Sequence, residues 1–480
     1  MNKYFLNSGL SKTIRFSFLL LFIFLVLPER GKSQETYETK DLMPDTWQEL
    51  GNGVNMGDAD LLKWWEIFND TILNYLIQQA SENNNNILIA LSRIDEAREN
   101  YKMAQSSFYP GINGQMSLIP QKSSGNIGAG ESYQNTIYSA GLGVSWEIDV
   151  FGRIRKYVKS MQAQYFASQI DYHAVKVALL SELAVSYINL RTYQKRLYVA
   201  QDNLKSQNET VKVTNARFKA GLVSELDIMQ SKIVLAGTKS SIPLFNSLIL
   251  QEINNISVLI GIYPNNITDK LHLGELPKLP DEVVINIPKE MIRQRPDIRY
   301  AEQQIISQSK MLGVSKSDLL PRFYLDGNFN FTSKDVSKVF NEKSINYNIG
   351  PSLSVSLFGA GKARQKIKME QAKFDQLKYN YNQVIITAFK EVDNALITFQ
   401  KTKEIEVATE EAVEASQKSL DLSVELYKGG LIDFQNVLDA QRSLLTYEDQ
   451  LAQIKGQVVQ NLVRLYQSLG GGWDSSKPIK

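Results

Sequence analysis

Hydrophobic and polar positions along this chain follow two different periods. Four stretches alternate with a period of two. In the first, Ile112, Gly114, Met116 and Leu118 oppose Asn113, Gln115 and Ser117. In the second, Tyr138, Ala140, Leu142, Val144, Trp146 and Ile148 oppose Ser139, Gly141, Gly143, Ser145, Glu147 and Asp149. In the third, Phe323, Leu325, Phe329 and Phe331 oppose Tyr324, Asp326, Asn328 and Asn330. In the fourth, Ile349, Leu353, Val355 and Leu357 oppose Asn348, Ser352, Ser354 and Ser356. This alternation predicts β-strands near 111–119, 137–149, 322–331 and 347–358. A soluble sandwich uses strands of the same kind. Here the second face is Gly, Ser and Asn rather than Lys and Glu, and aromatics sit near strand ends. Both traits favour membrane strands around a wet lumen. The polar stretches 120–136 and 332–346 are expected to be long loops on one side of a barrel.

The rest of the chain has a helical period. Ile405, Ala408, Ala412, Ala415, Ser419, Leu422 and Leu426 are spaced by threes and fours, the seam of a coiled coil. Beyond Gly429-Gly430 the stripe doubles. Val437, Leu444, Leu451, Val458 and Leu465 run beside Leu438, Leu445, Ala452, Val459 and Tyr466. In the first half, Ile228, Leu235, Ile242, Ile249 and Ile256 recur every seven residues. Two adjacent stripes mean a helix with neighbours on two sides, as in a ring of helices; the wide apolar face of a soluble bundle helix is the other reading. Pro243 is expected to kink or break its helix. As one helix, 361–427 would reach about 100 Å at 1.5 Å per residue, more than a globular core needs.

The chain also repeats itself at a distance of about 210 residues. Phe218-Lys-Ala-Gly-Leu-Val-Ser224 matches Tyr427-Lys-Gly-Gly-Leu-Ile-Asp433. Trp146-Glu-Ile-Asp-Val-Phe-Gly-Arg153 matches Val355-Ser-Leu-Phe-Gly-Ala360, and Phe108-Tyr-Pro110 matches Leu319-Leu-Pro321. The order is the same in both halves, so they are expected to share one fold.

In a bilayer a β-structure must close, because every backbone polar group needs a partner. About eight strands is the minimum, and this chain offers four. Closure therefore requires two, three or more copies. The strands run directly into the helices at Phe151-Gly152 and Phe358-Gly359, so the helices should extend from the barrel rim as a tube.

Composition narrows the chemistry. Residues 1–33 carry Lys3, Lys12 and Arg15 and then an apolar run from Phe16 to Leu27, too short to cross a bilayer as a helix. This reads as a signal peptide with a mature start near Gln34; an N-terminal anchor is the alternative. No other stretch is expected to be a transmembrane helix. The whole chain is formally +2; residues 1–33 hold a net +4, so the remainder is near −2, with no nucleic-acid footprint. There is no cysteine, and the two histidines, His173 and His272, are far apart. No thiol chemistry, zinc site, Ser/His/Asp set or cofactor is expected. Gly359-Ala-Gly-Lys362 looks like a phosphate loop, but Ser356 stands where its first Gly should be and Ala363 where Ser or Thr should follow the lysine. An enzyme is not expected.

Four segments carry a family resemblance: Trp146-Glu-Ile-Asp-Val-Phe-Gly-Arg153; Arg295-Pro-Asp-Ile-Arg299 with Ala301-Glu302; Tyr427-Lys-Gly-Gly-Leu431 with Asp439-Ala-Gln-Arg442; and Leu469-Gly-Gly-Gly-Trp473. Together they resemble the outer-membrane efflux protein family of TolC-like outer membrane factors. The Gly-Gly-Gly-Trp ending and Trp64-Trp65 are similar to the branch that serves resistance-nodulation-division pumps. The resemblance runs from about Trp64 to Trp473. It implies an α+β membrane protein. Its trimeric 12-stranded β-barrel, four strands per chain, would be continuous with a long coiled-coil periplasmic tunnel and a small mixed equatorial domain. The domain plan is a signal peptide at 1–33, an N-terminal equatorial segment at 34–85 and a first repeat at 86–262. An equatorial linker at 263–296, a second repeat at 297–469 and a tail at 470–480 follow.

The resemblance further implies a homotrimer in outer-membrane lipid with its tunnel in the periplasm. It implies a periplasmic adaptor (membrane fusion) protein and an inner-membrane resistance-nodulation-division pump as partners. Small molecules would pass through it without bond chemistry. A duct for type I protein secretion and a structural envelope strut are the rival readings. The adaptor-contacting tips would be Ala220, Gly221 and Leu222, and Gly429, Gly430 and Leu431. The periplasmic gate would rest on Tyr427 and Asp439, with Asn436 where a second aspartate is usual. Members of this branch often carry a lipid-bearing Cys, which this chain lacks.

Overall fold

The alternating stretches pair into one sheet. A computed structural model describes residues 47, 54–57, 61–126, 132–264, 266–271, 274–280, 283–285 and 294–474. The proposed signal peptide, His272 and most of the tail lie outside the described residues. In chain order the strands are β1 (Val54–Met56), β2 (Gly111–Lys122), β3 (Gln134–Ile148), β4 (Val283–Ile285), β5 (Arg322–Ser333) and β6 (Ile345–Ser354). The helices are α1 (Thr71–Asn83), α2 (Asn85–Ser106), α3 (Arg153–Lys219), α4 (Glu225–Leu259), α5 (Pro296–Ser317), α6 (Lys362–Lys428) and α7 (Phe434–Ser468).

The larger sheet is antiparallel with order β2-β3-β5-β6, and within the chain β2 and β6 are its edges. Its register keeps the two faces separate. Ile112 pairs with Val144, Leu142 with Phe329, and Phe329 with Tyr347. On the other face, Asn113 pairs with Gly143, Gly143 with Asn328, and Asn328 with Asn348. A slip of one residue would exchange the faces, so the side-chain pattern fixes the register. The fourth strand stops at Ser354 rather than reaching Phe358, and the strands grow into the expected loops at their far ends.

The two halves match element by element. α3 and α6 each have 67 residues, α4 and α7 each 35, and α2 and α5 each 22. At 1.5 Å per residue the 67-residue helices reach about 100 Å. α3 packs along α4, and α6 along α7, while α3 also meets α7 and α5 across the halves. Arg196 on α3 grips Asp449 on α7 with two bonds of 2.8 Å and lies over Phe245 of α4. Ser160 and Ser307 bond at 2.9 Å where α3 and α5 approach closely. The doubled stripe of α7 is spent inside the chain, with Val437, Leu438, Val458 and Val459 buried. The stripe of α6 is not: Ile405, Leu422 and Leu426 stay exposed.

Two expectations are corrected. Pro243 does not break α4, which continues from Glu225 to Leu259 with Pro243 inside it. Its ring costs one backbone bond and the flanking packing on α3 holds the rest. The same helix is long and apolar enough to cross a membrane by length and composition, although no stretch beyond the signal run was expected to be. The segments before and after the first repeat meet: β1 pairs in parallel with β4, placing Val54 opposite Val283 and Met56 opposite Ile285.

Candidate functional site

Each pair of long helices turns on a glycine. α3 ends where Gly221 takes φ 74°, and α6 ends where Gly430 takes φ 72°. The left-handed conformation suits glycine and closes the helix. The hydrogen bonds coincide: Leu222 N–H donates to the Arg217 carbonyl at 3.0 Å, and Leu431 N–H to the Leu426 carbonyl at 2.9 Å. Ser224 and Asp227 then form a capping box that starts α4. Ala220, Gly221, Leu222, Gly429, Gly430 and Leu431 are all exposed, Leu431 to 75%. Two bare leucines at two adjacent corners form an apolar tip.

Tyr427 and Asp439, the expected gate pair, face different surroundings. Tyr427 is buried among Phe434, Val437, Leu438 and Val234, its ring 5.1 Å from that of Phe434. Burial pushes its hydroxyl above the ordinary tyrosine range, and among the described residues the hydroxyl has no hydrogen-bond partner. Arg217 covers the ring at 4.4 Å and donates a 2.8 Å bond to the Tyr427 carbonyl. Asp439 instead faces outward. It accepts from Gln435 Nε2 at 2.9 Å and lies 3.6 Å from Arg442. It lines an open groove of about 420 Å³ with Asn436, Ser416, Ser419 and Ser443. The sequence gives little sign of Arg217. Its only signal is a cation in the last turn of a helix, which favours the C-terminal dipole at many unrelated places.

At the other end the Trp146–Arg153 motif builds the strand-to-helix junction. Trp146 donates from Nε1 to the Phe108 carbonyl at 2.9 Å. Glu147 holds Arg153 with two bonds of 2.7 and 2.8 Å. Asp149 accepts from the backbone N–H groups of Ile154 and Arg155, capping α3 in place of Gly152. Further out, Asp326 on the polar face accepts from Ser145 and Ser352, each at 2.7 Å.

The remaining motifs close the middle of the molecule. Arg295 is buried and bonds Asp297, Glu391 and the Ser468 carbonyl at 2.6, 2.7 and 2.7 Å. Trp473 donates to the Gln294 carbonyl at 2.8 Å, with its ring 4.6 Å from His173. A Cβ on Gly471 would strike the Trp64 ring and the Leu61 carbonyl, so the approach requires glycine. Trp64 stacks on Tyr466 at 6.1 Å. Burial, then Lys176 and Arg299, push His173 down to about 4.

The model of the outer membrane efflux protein family matches the chain twice, over residues 76–262 and 287–471, once for each repeat. Nodulation protein T of Rhizobium leguminosarum bv. trifolii is 28% identical over 88% of this chain and 91% of its own. The toluene efflux pump outer membrane protein TtgI of Pseudomonas putida is 29% identical over 86% of this chain and 88% of its own. The solved outer-membrane channel OprN superposes with a TM-score of 0.85 at 30% identity, covering 90% of this chain and 97% of that one. With its duplicated halves, its sheet and its long paired helices accounted for, this chain belongs to the outer membrane efflux protein family.

Proposed function

We propose that three copies of this chain close a 12-stranded barrel and a helical tunnel, and that the assembly passively conducts small molecules from a periplasmic adaptor and an inner-membrane pump to the exterior. The observation that carries the reading is the four-stranded sheet. It has one apolar and one small polar face, open edges at β2 and β6, and direct continuation into 67-residue helices. Open edges in a membrane must be paired, and a second copy offers the complementary edge. The exposed stripe Ile405, Leu422 and Leu426 supports contact with a neighbouring copy below the barrel.

The relatives include proteins named for solvent, toluene and cation efflux, which supports efflux of small molecules over protein secretion. The apolar tips Leu222 and Leu431 are the reading's docking points for an adaptor. Closure at the periplasmic end would rest on the small polar groove around Asp439 and Asn436, with Tyr427 holding the corner rather than touching the lumen. Planar-bilayer conductance of the purified mature protein, with oligomeric mass from the same preparation, is the test. A trimer with small gated openings is expected. A monomer, or an oligomer that never conducts even as Asp439→Ala, would favour the strut reading.

A further inference from the structure

We propose that the junction of the second repeat binds an anionic phospholipid of the inner leaflet of the outer membrane, its headgroup phosphate held by Lys362, Arg364 and Lys368 and its acyl chains lying against Leu357 and Phe358. The inference rests on the barrel reading above. The alternating apolar positions of β6 continue past the last paired residue, through Val355 to Leu357. Leu357 and Phe358 are 85% and 90% exposed. Leu357 continues the face that would meet lipid, and Phe358 follows it beyond the end of the strand.

Immediately beyond them α6 opens with Lys362, Arg364, Lys366 and Lys368 and no acid in its first turn. Cations are disfavoured at a helix start, where the backbone N–H groups already carry partial positive charge, unless an anion faces them. The first repeat shows how the chain meets that need internally. An offset of 209 residues relates the two halves here: Gly152 and Gly361 are both left-handed caps, and Gly221 and Gly430 both left-handed corners. By the same offset, Arg153 and Arg155 correspond to Lys362 and Arg364. Their carboxylate partners, Glu147 and Asp149, precede the Phe151-Gly152 that matches Phe358-Gly359, and there the second repeat has Ser354 and Ser356. The second repeat has kept the cations and has a serine in place of each anion. Lys366 alone finds an acid, Asp318 at 2.9 Å. Among the described residues no side-chain bond or ion pair to Lys362, Arg364 or Lys368 is found. An apolar shelf followed at once by unneutralised cations complements a phospholipid, with acyl chain above and phosphate below. Such cations are most effective within a Debye length of an anionic surface.

The test is native mass spectrometry of the purified oligomer, exposed in parallel to phosphatidylglycerol and phosphatidylcholine. It compares wild type with K362Q/R364Q/K368Q and with a control in the outer loop, K343Q. Wild type and control should retain phosphatidylglycerol in preference. The triple variant should lose that preference by about tenfold or more, and excess inorganic phosphate should not displace the lipid. Equal retention of both lipids by wild type, or an unchanged triple variant, overturns the proposal. Displacement by inorganic phosphate alone would assign the cations to a soluble anion, and loss of the oligomer in the variant would assign them to a subunit boundary; either overturns it as well. Conductance of the same wild-type preparation separates the two levels. A conducting oligomer without lipid preference sinks only this inference, and a monomer that never conducts sinks the channel reading beneath it.

Discussion

Arg217 lies 4.4 Å over the ring of Tyr427 and donates to its backbone carbonyl, although the two residues are 210 positions apart. The interaction ties the last turn of one 67-residue helix to the last turn of the other. The corners of the two repeats are therefore one mechanical unit, and the gate proposed there would have to move both or break that tie.

Replacing Asp439 by Ala should leave stability within about 0.5 kcal/mol, because its side chain is largely exposed and its ion pair is on the surface. Single-channel conductance should nevertheless rise, since the groove loses its carboxylate. Tyr427→Ala should also raise conductance and leak, but at a cost of about 3–5 kcal/mol for an emptied aromatic site. Tyr427→Phe should be near neutral, because the hydroxyl makes no bond. Conductance of Asp439→Ala indistinguishable from wild type would remove Asp439 from the gate.

Arg217→Ala should destabilise the corner by about 1.5–3 kcal/mol, the range for a charge-assisted bond, and it also removes the cation–π attraction to the Tyr427 ring. Arg217→Lys should restore little, since an ammonium cannot both cover the ring and reach the carbonyl as the planar fork does. Hydrogen exchange at the amides of residues 427–431 is the readout. Protection unchanged in Arg217→Ala would mean the corner is held by its apolar core alone.

Asp326 stands in the middle of the polar face, held by two serine hydroxyls. Glu147 and Arg322, nearer the strand ends, are neutralised by Arg153 and Asp318. The lumen wall is thus expected to be net negative at that depth. Asp326→Asn should reduce cation over anion selectivity, read as a shift of reversal potential across a KCl gradient. The shift should shrink as salt rises, because screening shortens from about 30 Å at 0.01 M to about 10 Å at 0.1 M. A reversal potential that does not move at low salt would place Asp326 away from the ion path.

Acid should loosen the equatorial closure through His173. Its folded-state value is pushed down to about 4 by burial and by Lys176 and Arg299, whereas an unfolded histidine titrates near 6.5. The unfolded chain therefore takes up the proton first. The stability tied to neutral His173 is whole above about pH 6.5 and is lost as pH falls from there towards 4. Melting temperatures measured at several pH values should fall across this window in wild type and fall less steeply in His173→Gln. Parallel curves for the two proteins would rule out the histidine as the acid-sensitive group.

The strands are legible in the sequence because a sheet with two unlike faces writes a period of two directly into it, and because Asn328 and Phe329 cannot exchange sides without exposing one and burying the other. The helix lengths are legible from the corners, where glycine is required by the backbone itself. Of the kink or break expected at Pro243, the break does not occur because propensity is local, while packing along α3 keeps the helix intact on either side of the proline. The interactions that make the site are the least legible. Arg217 and Tyr427, or Arg295 and Ser468, meet only after the two halves fold onto each other, and nothing in the sequence around either residue marks its partner. Tyr427 illustrates the difference: family resemblance points to its position, but only the packing shows that its ring faces the corner core.

The equal length of the two long helices makes the chain a ruler. Its reach is counted in residues of continuous helix, and both counts must agree for Arg217 to arrive at Tyr427. Inserting one heptad in α3 alone would carry its corner about 10 Å past its partner and break the tie, whereas the same insertion in both would lengthen the duct and keep it. A lineage facing a wider or narrower envelope could therefore change the span only in matched steps, one for each half of an ancient doubling.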